Sequence, residues 1–517
     1  MPKHSIQALT AAAALVCLAA IGPTPSGAAG PPAAPAGQPG PVAPSRFVPG
    51  PCPKPPEPIE ALGDARCGFL EVPENRSRPG SRTLKLAVAR IEAASAKPAA
   101  DPVVFMAGGP GADTFDDIPF LIDAGLNKDR ELIIMAQRGT RYDQPNLACP
   151  EVDRFNAQAV GLGYDAQRAE QLFLKAVQDC RDRLTADGAD LSAYNTTENA
   201  ADFADLRTAL GIAQWNVYGY SYGSNLALTY LRLHPEGIRA VAIDSIAPPQ
   251  SVTLPWTWGS TAEGIRTIFE ACAAQPACKD RYPDLPRLLT EQVRRLEAQP
   301  LTLDVTPPDG GKPVKTVLDG GALLNLIVAF TPRPKDMPAA LDELSRGNPE
   351  RFAKARAAGS VQKVGEFAHG LTNSIACSEW APGYTEPDVL KAGQKAFPGW
   401  PDTVLAQVPQ LPFQYAACGI WNVPDRASVQ RVPTVSSVPA LVISGTFDVK
   451  TGASWAEGVS RDLSDSTAVQ VPGIGHWVVP QSPCAQRVLA SFLARPTAPD
   501  TGCVDDLEPG PFTIIPK

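Results

Sequence analysis

Histidine, clustered basic residues and metal-binding motifs are what this sequence has least of. It contains 4 histidines among 517 residues, too few for a histidine-rich metal centre. HExxH, a CxxC pair and a Gly-rich phosphate-binding loop are all missing from it. The formal net charge is −8, and lysine and arginine form no dense run, which argues against nucleic acid or an anionic membrane surface as the main partner. What is left is an ordinary globular composition whose chemistry depends on its own side chains.

Apolar runs long enough to cross a membrane are missing as well. The longest one, Ala8 to Ile21, follows Lys3 and precedes small residues up to Ala29, which is typical of a cleaved secretion signal. Its length is short of the roughly 20 residues that span a bilayer. Cys17 lies in this run, but Val16 before it fits a lipoprotein cleavage site poorly. We therefore predict a signal peptide over 1–29, a secreted or cell-envelope protein, and no membrane span.

Export changes how the cysteines are interpreted, because an even number of them in an oxidising compartment indicates disulfides. Ten cysteines remain after the signal is removed. Their connectivity does not follow from the sequence, and the simplest hypothesis pairs neighbours in chain order: Cys52–Cys67, Cys149–Cys180, Cys272–Cys278, Cys377–Cys418 and Cys484–Cys503.

Short apolar strands alternate with helical patterns in two separate parts of the chain. Runs such as Val103–Met106 and Leu132–Met135 are typical of parallel strands that are buried on both faces. Between the two parts lies an Ala-, Arg- and Leu-rich region with helical periodicity. We expect an α/β fold with a mostly parallel sheet, helices on both faces and a large helical cap inserted before the last strands. The predicted segments are a signal peptide (1–29), a Pro/Ala/Gly-rich linker (30–58), core (59–249), cap (250–432) and core (433–517).

The segment Gln214–Ser224 is the strongest functional signal. An apolar strand runs directly into Gly219-Tyr-Ser-Tyr-Gly223, and a helical pattern follows it. Small residues on both sides of Ser221 permit a sharp strand-to-helix turn that exposes the hydroxyl at the end of the strand. The alternative is a tight βα turn with a solvated serine. The pattern therefore predicts a nucleophile at Ser221.

A serine nucleophile needs a base, and the choice among the histidines is narrow. His4 is lost with the signal, His234 ends a helix, and His369 is in the inserted region without a loop of small residues. His476 is in Pro472-Gly-Ile-Gly-His476, which follows a strand and precedes the last helix. We predict His476 as the base.

Two aspartates are candidates for the acid that orients this base. Asp448 follows the strand Ala440–Ser444 in a loop of small residues, in the chain order Ser, Asp, His that α/β-hydrolases use. Asp244 ends the strand after the serine, and some enzymes of this fold use that position. We favour Asp448, and the alternative role for Asp244 is to cap the Pro-rich loop that follows it.

An acyl-transfer site also needs two backbone N–H groups for the oxyanion. One is expected from Tyr222, directly after the nucleophile. The other is expected from Gly109 in Ala107-Gly-Gly-Pro-Gly111, because glycine lets a substrate oxygen approach its amide closely.

Together these motifs resemble those of the secreted tripeptidyl aminopeptidases of actinobacteria, which are relatives of proline iminopeptidases among the α/β-hydrolases. Carboxylesterase A-type envelope hydrolases are similar as well. The motifs that carry the resemblance are Val72-Pro73, Gly108-Gly-Pro-Gly111, Gln137-Arg-Gly-Thr140, Gly219–Gly223, Gly445–Thr451 and Gly475-His476. Two positions depart from the family pattern and leave substrate identity open: Ala107 replaces a histidine and Ala136 replaces an aspartate.

The resemblance implies a triad of Ser221, Asp448 and His476, with Gly109 and Tyr222 as oxyanion donors. It also implies that an acidic cap residue binds the substrate's free α-amine, and Glu379 in Ile375-Ala-Cys-Ser-Glu379 is the candidate.

We therefore expect a monomeric serine aminopeptidase that needs no cofactor and acts on peptides. An esterase with the same triad, acting on small ester substrates, is the first alternative. A non-catalytic wall-binding protein on a hydrolase scaffold is the second, and failure to react with a fluorophosphonate would favour it.

Overall fold

A nine-stranded sheet organises the chain in the computed structural model, which describes residues 44–164, 167–308, 310–330, 332–361 and 363–516. The predicted signal peptide, Cys17 and the first part of the predicted linker are outside the described residues. The strands are β1 (Arg46–Pro49), β2 (Arg66–Pro73), β3 (Thr83–Ile91), β4 (Val103–Met106), β5 (Leu132–Met135), β6 (Trp215–Ser221), β7 (Ile238–Ile246), β8 (Leu301–Val305), β9 (Val314–Leu318), β10 (Ala440–Gly445) and β11 (Ser466–Val471).

Nine of these strands form the sheet in the order β1-β2-β3-β5-β4-β6-β7-β10-β11, and β8 and β9 form a separate antiparallel hairpin. Six neighbouring strands of this sheet pair in parallel: β5, β4, β6, β7, β10 and β11. The strands β1, β2 and β3 extend one edge in antiparallel fashion. The predicted mostly parallel sheet is therefore confirmed.

Helices connect the parallel strands and cover the sheet. They are α1 (Ile118–Asp123), α2 (Pro150–Ala159), α3 (Gln167–Ala186), α4 (Thr196–Ala209), α5 (Tyr222–Leu233), α6 (Thr257–Ala274), α7 (Pro276–Arg281), α8 (Leu285–Ala298), α9 (Gly320–Ala329), α10 (Met337–Ser345), α11 (Glu350–Ala358), α12 (His369–Ile375), α13 (Glu386–Ala396), α14 (Asp402–Leu405), α15 (Gln414–Trp421), α16 (Ala427–Gln430), α17 (Ser454–Asp462), α18 (Val478–Gln481) and α19 (Pro483–Ala494). A 3₁₀-helix, Thr114–Asp117, precedes α1, and a π-helix, Ala376–Trp380, follows α12.

Alternation along the strands divides the core between the two faces of the sheet. In β4, Val104 and Met106 belong to the core cluster that includes residues of α4 and α5, whereas Val103 and Phe105 belong to the cluster that includes residues of α1 and α19. Since successive side chains of a strand point to opposite faces, a continuously apolar strand needs cover on both sides. This is why the runs Val103–Met106 and Leu132–Met135 contain no polar residue.

The segment between β7 and β10 contains α6 to α16 and the β8–β9 hairpin. It corresponds to residues 250–432, for which the sequence predicts a helical cap. Several of its contacts reach the loops at the carboxyl ends of the strands. The amide of Ala368 donates a hydrogen bond to the carbonyl of Gly111 (2.9 Å), and Thr372 Oγ1 donates one to the carbonyl of Pro110 (2.6 Å).

The N-terminal edge of the sheet begins earlier than the sequence indicates. Arg46–Pro49, inside the predicted linker, forms β1 and pairs antiparallel with β2. Phe47 packs where Gly68 of β2 leaves room, since a Cβ on Gly68 would be 2.7 Å from the Phe47 ring. One short Arg-Phe-Val segment among prolines gives a weak strand signal, and pairing with β2 decides its conformation.

Among the described residues five disulfides join cysteines that are neighbours in sequence, which confirms the simplest predicted pairing: Cys52–Cys67, Cys149–Cys180, Cys272–Cys278, Cys377–Cys418 and Cys484–Cys503. Each of them closes a short segment, and Cys377–Cys418 ties the π-helix to α15. None of the helices in the described ranges is both long enough and apolar enough to span a bilayer.

Candidate active site

Ser221 is the last residue of β6, and α5 begins at the next residue. Its backbone has φ 55° and ψ −126°, a strained conformation for a residue with a side chain and one that accumulates at functional sites. The flanking glycines make the turn possible. A Cβ on Gly223 would be 1.9 Å from the carbonyl oxygen of Met106, and one on Gly219 would be 2.3 Å from the carbonyl oxygen of Gly223.

His476 and Asp448 form a hydrogen-bonded pair at the same edge of the sheet. His476 Nδ1 is 2.8 Å from Asp448 Oδ2, and the aspartate is buried. Asp448 follows β10 and His476 follows β11, so neighbouring parallel strands bring both loops together. Burial by itself raises the pKa of Asp448, but the charge and the hydrogen bonds of His476 and Thr451 outweigh it and hold the pKa below its ordinary value. The carboxylate is therefore ionised at neutral pH.

Backbone amides and one hydroxyl fix the Asp448 carboxylate. Oδ1 accepts hydrogen bonds from the amides of Lys450 (2.8 Å) and Thr451 (3.0 Å). Thr451 Oγ1 donates to Oδ2 (2.7 Å) and is 3.2 Å from His476 Nδ1. The role of the Thr451 hydroxyl was not predicted from the sequence. A hydroxyl three residues after the acid, within the same loop, was the available signal.

Asp244, the alternative acid, has a different set of partners. Its carboxylate accepts hydrogen bonds from the amides of Val478 (3.0 Å) and Val479 (2.9 Å) at the start of α18, and from the hydroxyls of Ser245 and Tyr218. Burial raises its pKa. Within the described residues it forms no hydrogen bond with His476. Asp244 thus anchors the segment that follows His476 and leaves the imidazole to Asp448.

The other two described histidines are away from this pair. His369 Nε2 is 3.0 Å from Asp153 Oδ1. His234 follows α5, and burial lowers its pKa. His369 lines the same cavity as Ser221 but is paired with Asp153, whereas His234 is not among the described residues that line it.

The predicted oxyanion donors lie beside Ser221. The Gly108–Gly111 loop follows β4, the neighbour of β6, and a Cβ on Gly108 would be 3.1 Å from Ser221 Cβ. Gly109, Ser221 and Tyr222 all line one cavity. In the described part of the chain Ser221 Oγ and the His476 ring form no hydrogen bond, and such contacts commonly tighten only once substrate is bound.

This cavity has a volume of about 1020 Å³ and lies between the strand ends and the segment 250–432. Phe413 and Trp380 contribute aromatic surface, and Phe155 and Phe173 face it from α2 and α3. A volume of this size exceeds most drug-sized ligand sites and accommodates a short peptide.

Four of the carboxylates that line the cavity lie close enough to influence one another's pKa: Asp113, Asp116, Asp117 and Glu366. Asp113 is buried, and its Oδ2 accepts no hydrogen bond among the described residues, although Arg141 lies 3.8 Å away. Burial, together with the charge of Asp116, raises the pKa of Asp113 to about 7. Burial also raises the pKa of Asp117. Such a surface attracts a cationic group.

Glu379, predicted as the amine ligand, lies in the π-helix with its carboxylate buried. Oε1 accepts a hydrogen bond from the amide of Thr196 (2.7 Å), and Oε2 accepts one from Thr196 Oγ1 (2.6 Å). Thr196 Oγ1 is in turn 3.0 Å from the hydroxyl of Tyr222. Burial raises the pKa of Glu379 to about 7 against the opposing effects of Thr196 and two nearby arginines. Among the described residues that line the cavity, the neighbour Trp380 is present and Glu379 is not.

A metal centre has no evident ligand set here. Across the described ranges, no three histidine, cysteine or acidic side chains come together in a way that could hold a metal ion.

Two segments of the chain match sequence models of known families, and each contains residues of the candidate site. Residues 101–278, which include Ser221, match the sequence model of the alpha/beta hydrolase fold. Residues 409–505, which include Asp448 and His476, match that of TAP-like proteins. With the sheet topology, these matches give the chain the α/β-hydrolase fold.

Several curated proteins are similar to the chain. Serine protease Hip1 of Mycobacterium tuberculosis is 24% identical over 487 residues, which is 87% of this chain and 89% of the relative. Tripeptidyl aminopeptidase of Streptomyces lividans is 26% identical over 38% of this chain and 36% of its own. Carboxylesterase B of M. tuberculosis is 29% identical over 41% and 43%.

Among solved structures, a proline iminopeptidase of Mycobacterium smegmatis aligns with 80% of this chain and 96% of its own, at 18% identity and a TM-score of 0.37.

Proposed function

We propose that this chain, an α/β-hydrolase by fold with similarity to TAP-like proteins, is a secreted serine exopeptidase that releases short peptides, tripeptides in particular, from free N-termini. One observation carries the proposal. The strained Ser221 elbow and the Asp448–His476 pair occupy the same edge of the sheet, where Ser221 and Thr451, whose hydroxyl contacts both members of the pair, line one cavity. Similarity to proteins named serine protease and tripeptidyl aminopeptidase supports the peptidase assignment.

In the proposed reaction Ser221 Oγ attacks the scissile carbonyl while His476 removes its proton. Asp448 holds Nδ1–H of the ring and stabilises the imidazolium that forms. The oxyanion develops beside the Gly109 and Tyr222 amides, where the N-terminus of α5 adds partial positive charge. His476 then protonates the leaving amine, and water hydrolyses the acyl-enzyme.

Recognition of the free N-terminus needs a negative partner for the ammonium group. The carboxylates of Asp113, Asp117 and Glu366 line the cavity and meet this requirement, because an ammonium ion beside Asp113 offsets the cost of its burial. Glu379, implied by the resemblance, is the alternative anchor. Its carboxylate already accepts two hydrogen bonds from Thr196.

Matched variants of Asp113 and Glu379 distinguish which carboxylate binds the ammonium group of the substrate. With the cavity carboxylates as anchor, Asp113→Asn raises KM for free-amine peptides and spares ester cleavage, and Glu379→Gln does neither. Selective loss of peptide cleavage in Glu379→Gln would instead assign the amine to Glu379.

Secretion is part of the proposal. The N-terminal apolar segment and the five disulfides support it, because disulfides of this density persist in oxidising compartments. Intact mass of the protein recovered from the culture medium tests it, with removal of about 29 residues as the expected result.

An esterase is the second candidate, and similarity to carboxylesterase B favours it. The same triad hydrolyses esters, which have a better leaving group and need no amine anchor. The exopeptidase requires a free α-amine on the acyl part of its substrate, whereas the esterase does not.

A panel of matched chromogenic substrates tests the proposed function. It pairs tripeptide anilides, with free and acetylated N-termini, against short and medium acyl esters, for the wild type and Ser221→Ala. Turnover of free-amine tripeptides that is lost in the variant supports the exopeptidase. Turnover of esters alone would move the chain to the esterase assignment.

A further inference from the structure

Lys450 presents a positive charge to the cavity. It lines the cavity two residues after Asp448, and burial, against the weaker opposing effect of the Asp448 charge, lowers the pKa of its ammonium group. In the described ranges its Nζ makes no hydrogen bond and no ion pair with a side chain or a carbonyl. Lys450 is half-buried, and an ammonium group without a partner at the wall of a cavity is available to an anion.

Other basic residues of the cavity, unlike Lys450, have partners for their terminal side-chain nitrogens. Lys363 lies 3.8 Å from Glu366. Arg356 packs over the ring of Tyr164 at 4.7 Å and donates a hydrogen bond to the carbonyl of Ala159. Lys363 is thus ion-paired, and the terminal nitrogens of Arg356 donate to protein oxygens, although its Nε has no partner among the described residues. The Nζ of Lys450 remains available to a ligand.

The backbone of Lys450 is held from both sides. Its amide donates to Asp448 Oδ1 (2.8 Å), and its carbonyl accepts a hydrogen bond from Ser260 Oγ (2.9 Å). The base of the side chain is therefore fixed relative to the Asp448–His476 pair. Only the side-chain torsions of Lys450 then need to be ordered when it binds a ligand, which limits the entropy that the contact costs.

The order of the strands places Lys450 on the leaving-group side of Ser221. Along the sheet the order is β4, β6, β7, β10. The loop with Gly109 and the acidic residues follows β4 on one side, and Lys450 follows β10 on the other. With roughly 5 Å between neighbouring strands, Lys450 starts about 10 Å from the end of β6. The leaving group must also lie on this side, because His476 protonates it.

We propose that Lys450 binds a carboxylate on the leaving part of the substrate, so that the enzyme prefers short free peptides whose C-terminal carboxylate follows closely after the scissile bond. This inference rests on the proposed exopeptidase function. A peptide with both termini free matches the two oppositely charged sides of the cavity. An acidic side chain just after the scissile bond offers the same carboxylate chemistry.

Four peptides with one common acyl tripeptide test the proposal: Ala-Ala-Ala-Ala with a free carboxylate, the same peptide as an amide, and the amides Ala-Ala-Ala-Glu and Ala-Ala-Ala-Gln. For the wild type we expect kcat/KM to be roughly 10-fold higher for the free carboxylate than for the amide, mostly through KM. The Glu and Gln amides separate an acidic side chain from the terminal carboxylate as the preferred ligand.

Three variants test whether Lys450 causes the preference. Lys450→Met should bring the carboxylate-to-amide ratio close to one, Lys450→Glu should invert it, and Lys450→Arg should keep it. Lys175→Met is the matched control, since Lys175 is exposed on α3 and pairs with Asp179, and its ratio should equal that of the wild type. If Lys450→Met does not fold, the Arg and Glu variants decide the question by the same ratio.

A wild-type ratio near one, or an unchanged ratio in Lys450→Met, would overturn the proposal. An enzyme that cleaves none of the peptides contradicts the proposed function instead. Lys450 is then tested with two esters of one acyl group whose alcohol parts carry either a carboxylate or a carboxamide, and equal turnover of the two overturns it.

Discussion

Replacing Glu379 by glutamine should change the pH dependence of stability in a defined direction. The carboxyl group is buried between the π-helix and the start of α4, and its pKa is about 7 against an ordinary value of 4.5. That difference corresponds to about 3 kcal/mol that ionisation costs the folded state.

The sign follows from the raised pKa. In the unfolded chain Glu379 ionises near pH 4.5, whereas in the folded protein it keeps its proton until about pH 7. The contribution of Glu379 to the free energy of unfolding is therefore fully present below pH 4.5, falls as the pH rises and levels off above pH 7. Between pH 5 and pH 8 the wild type should lose about 2 kcal/mol through this group.

Glutamine at position 379 has no such ionisation. It can still accept the hydrogen bond from the amide of Thr196 and can donate one to Thr196 Oγ1, so the contacts are kept. The free energy of unfolding of Glu379→Gln should therefore not show this decrease of about 2 kcal/mol between pH 5 and pH 8. The difference in Tm between variant and wild type should rise by roughly 2 °C from pH 5 to pH 8, at about 1 kcal/mol per degree for a chain of this size.

Thermal unfolding of both proteins at pH 5, 6, 7 and 8 measures this difference. Other titrating groups, Asp113 included, are present in both proteins and cancel. Glu386→Gln, at an exposed position in α13, is the control and should follow the wild type. A Glu379→Gln profile parallel to that of the wild type would refute the reasoning, since Glu379 would then ionise alike in both states.

Two further predictions concern the residues around His476. Asp448→Asn should lower kcat by about 10⁴-fold through the wrong imidazole tautomer, whereas Asp244→Asn should cost about 1–3 kcal/mol of stability from a lost buried hydrogen bond and lower kcat far less. Steady-state kinetics and denaturant unfolding of both variants check this, and the reverse order of the kcat losses would make Asp244 the acid. Thr451→Val should reduce kcat roughly 10- to 100-fold with KM nearly unchanged, because about 1–3 kcal/mol of orientation is lost, and Thr451→Ser should restore most of it. Equal kinetics for the Val and Ser variants would show that the hydroxyl has no part in holding the pair.

Local patterns predicted much of the fold. The runs Val103–Met106 and Leu132–Met135 coincide with β4 and β5 because a strand buried on both faces must be apolar throughout. The turn around Ser221 could be recognised because only glycine fits at positions 219 and 223. The disulfides join sequence neighbours, as the simplest hypothesis had it, although the sequence by itself does not determine the connectivity. The triad and the oxyanion donors remain predictions, now with a geometry that fits them.

Features that depend on distant parts of the chain could not be predicted. Glu379 and Thr196 are 183 residues apart, and no local pattern shows that the carboxylate is buried against α4. The carboxylates of Asp113 and Glu366 belong to different segments that only the fold brings to one cavity. Strand β1 forms because β2 offers it an edge, a condition invisible in a Pro-rich stretch.

The most direct measurement is a rapid acid quench of the wild type during turnover of a free-amine tripeptide anilide, followed by mass spectrometry of the digested protein. The account predicts a tripeptidyl adduct on the peptide that contains Ser221, absent in Ser221→Ala and from reactions with the N-acetylated substrate. No adduct at Ser221 under conditions where the anilide is hydrolysed, or an adduct on another residue, would contradict the account.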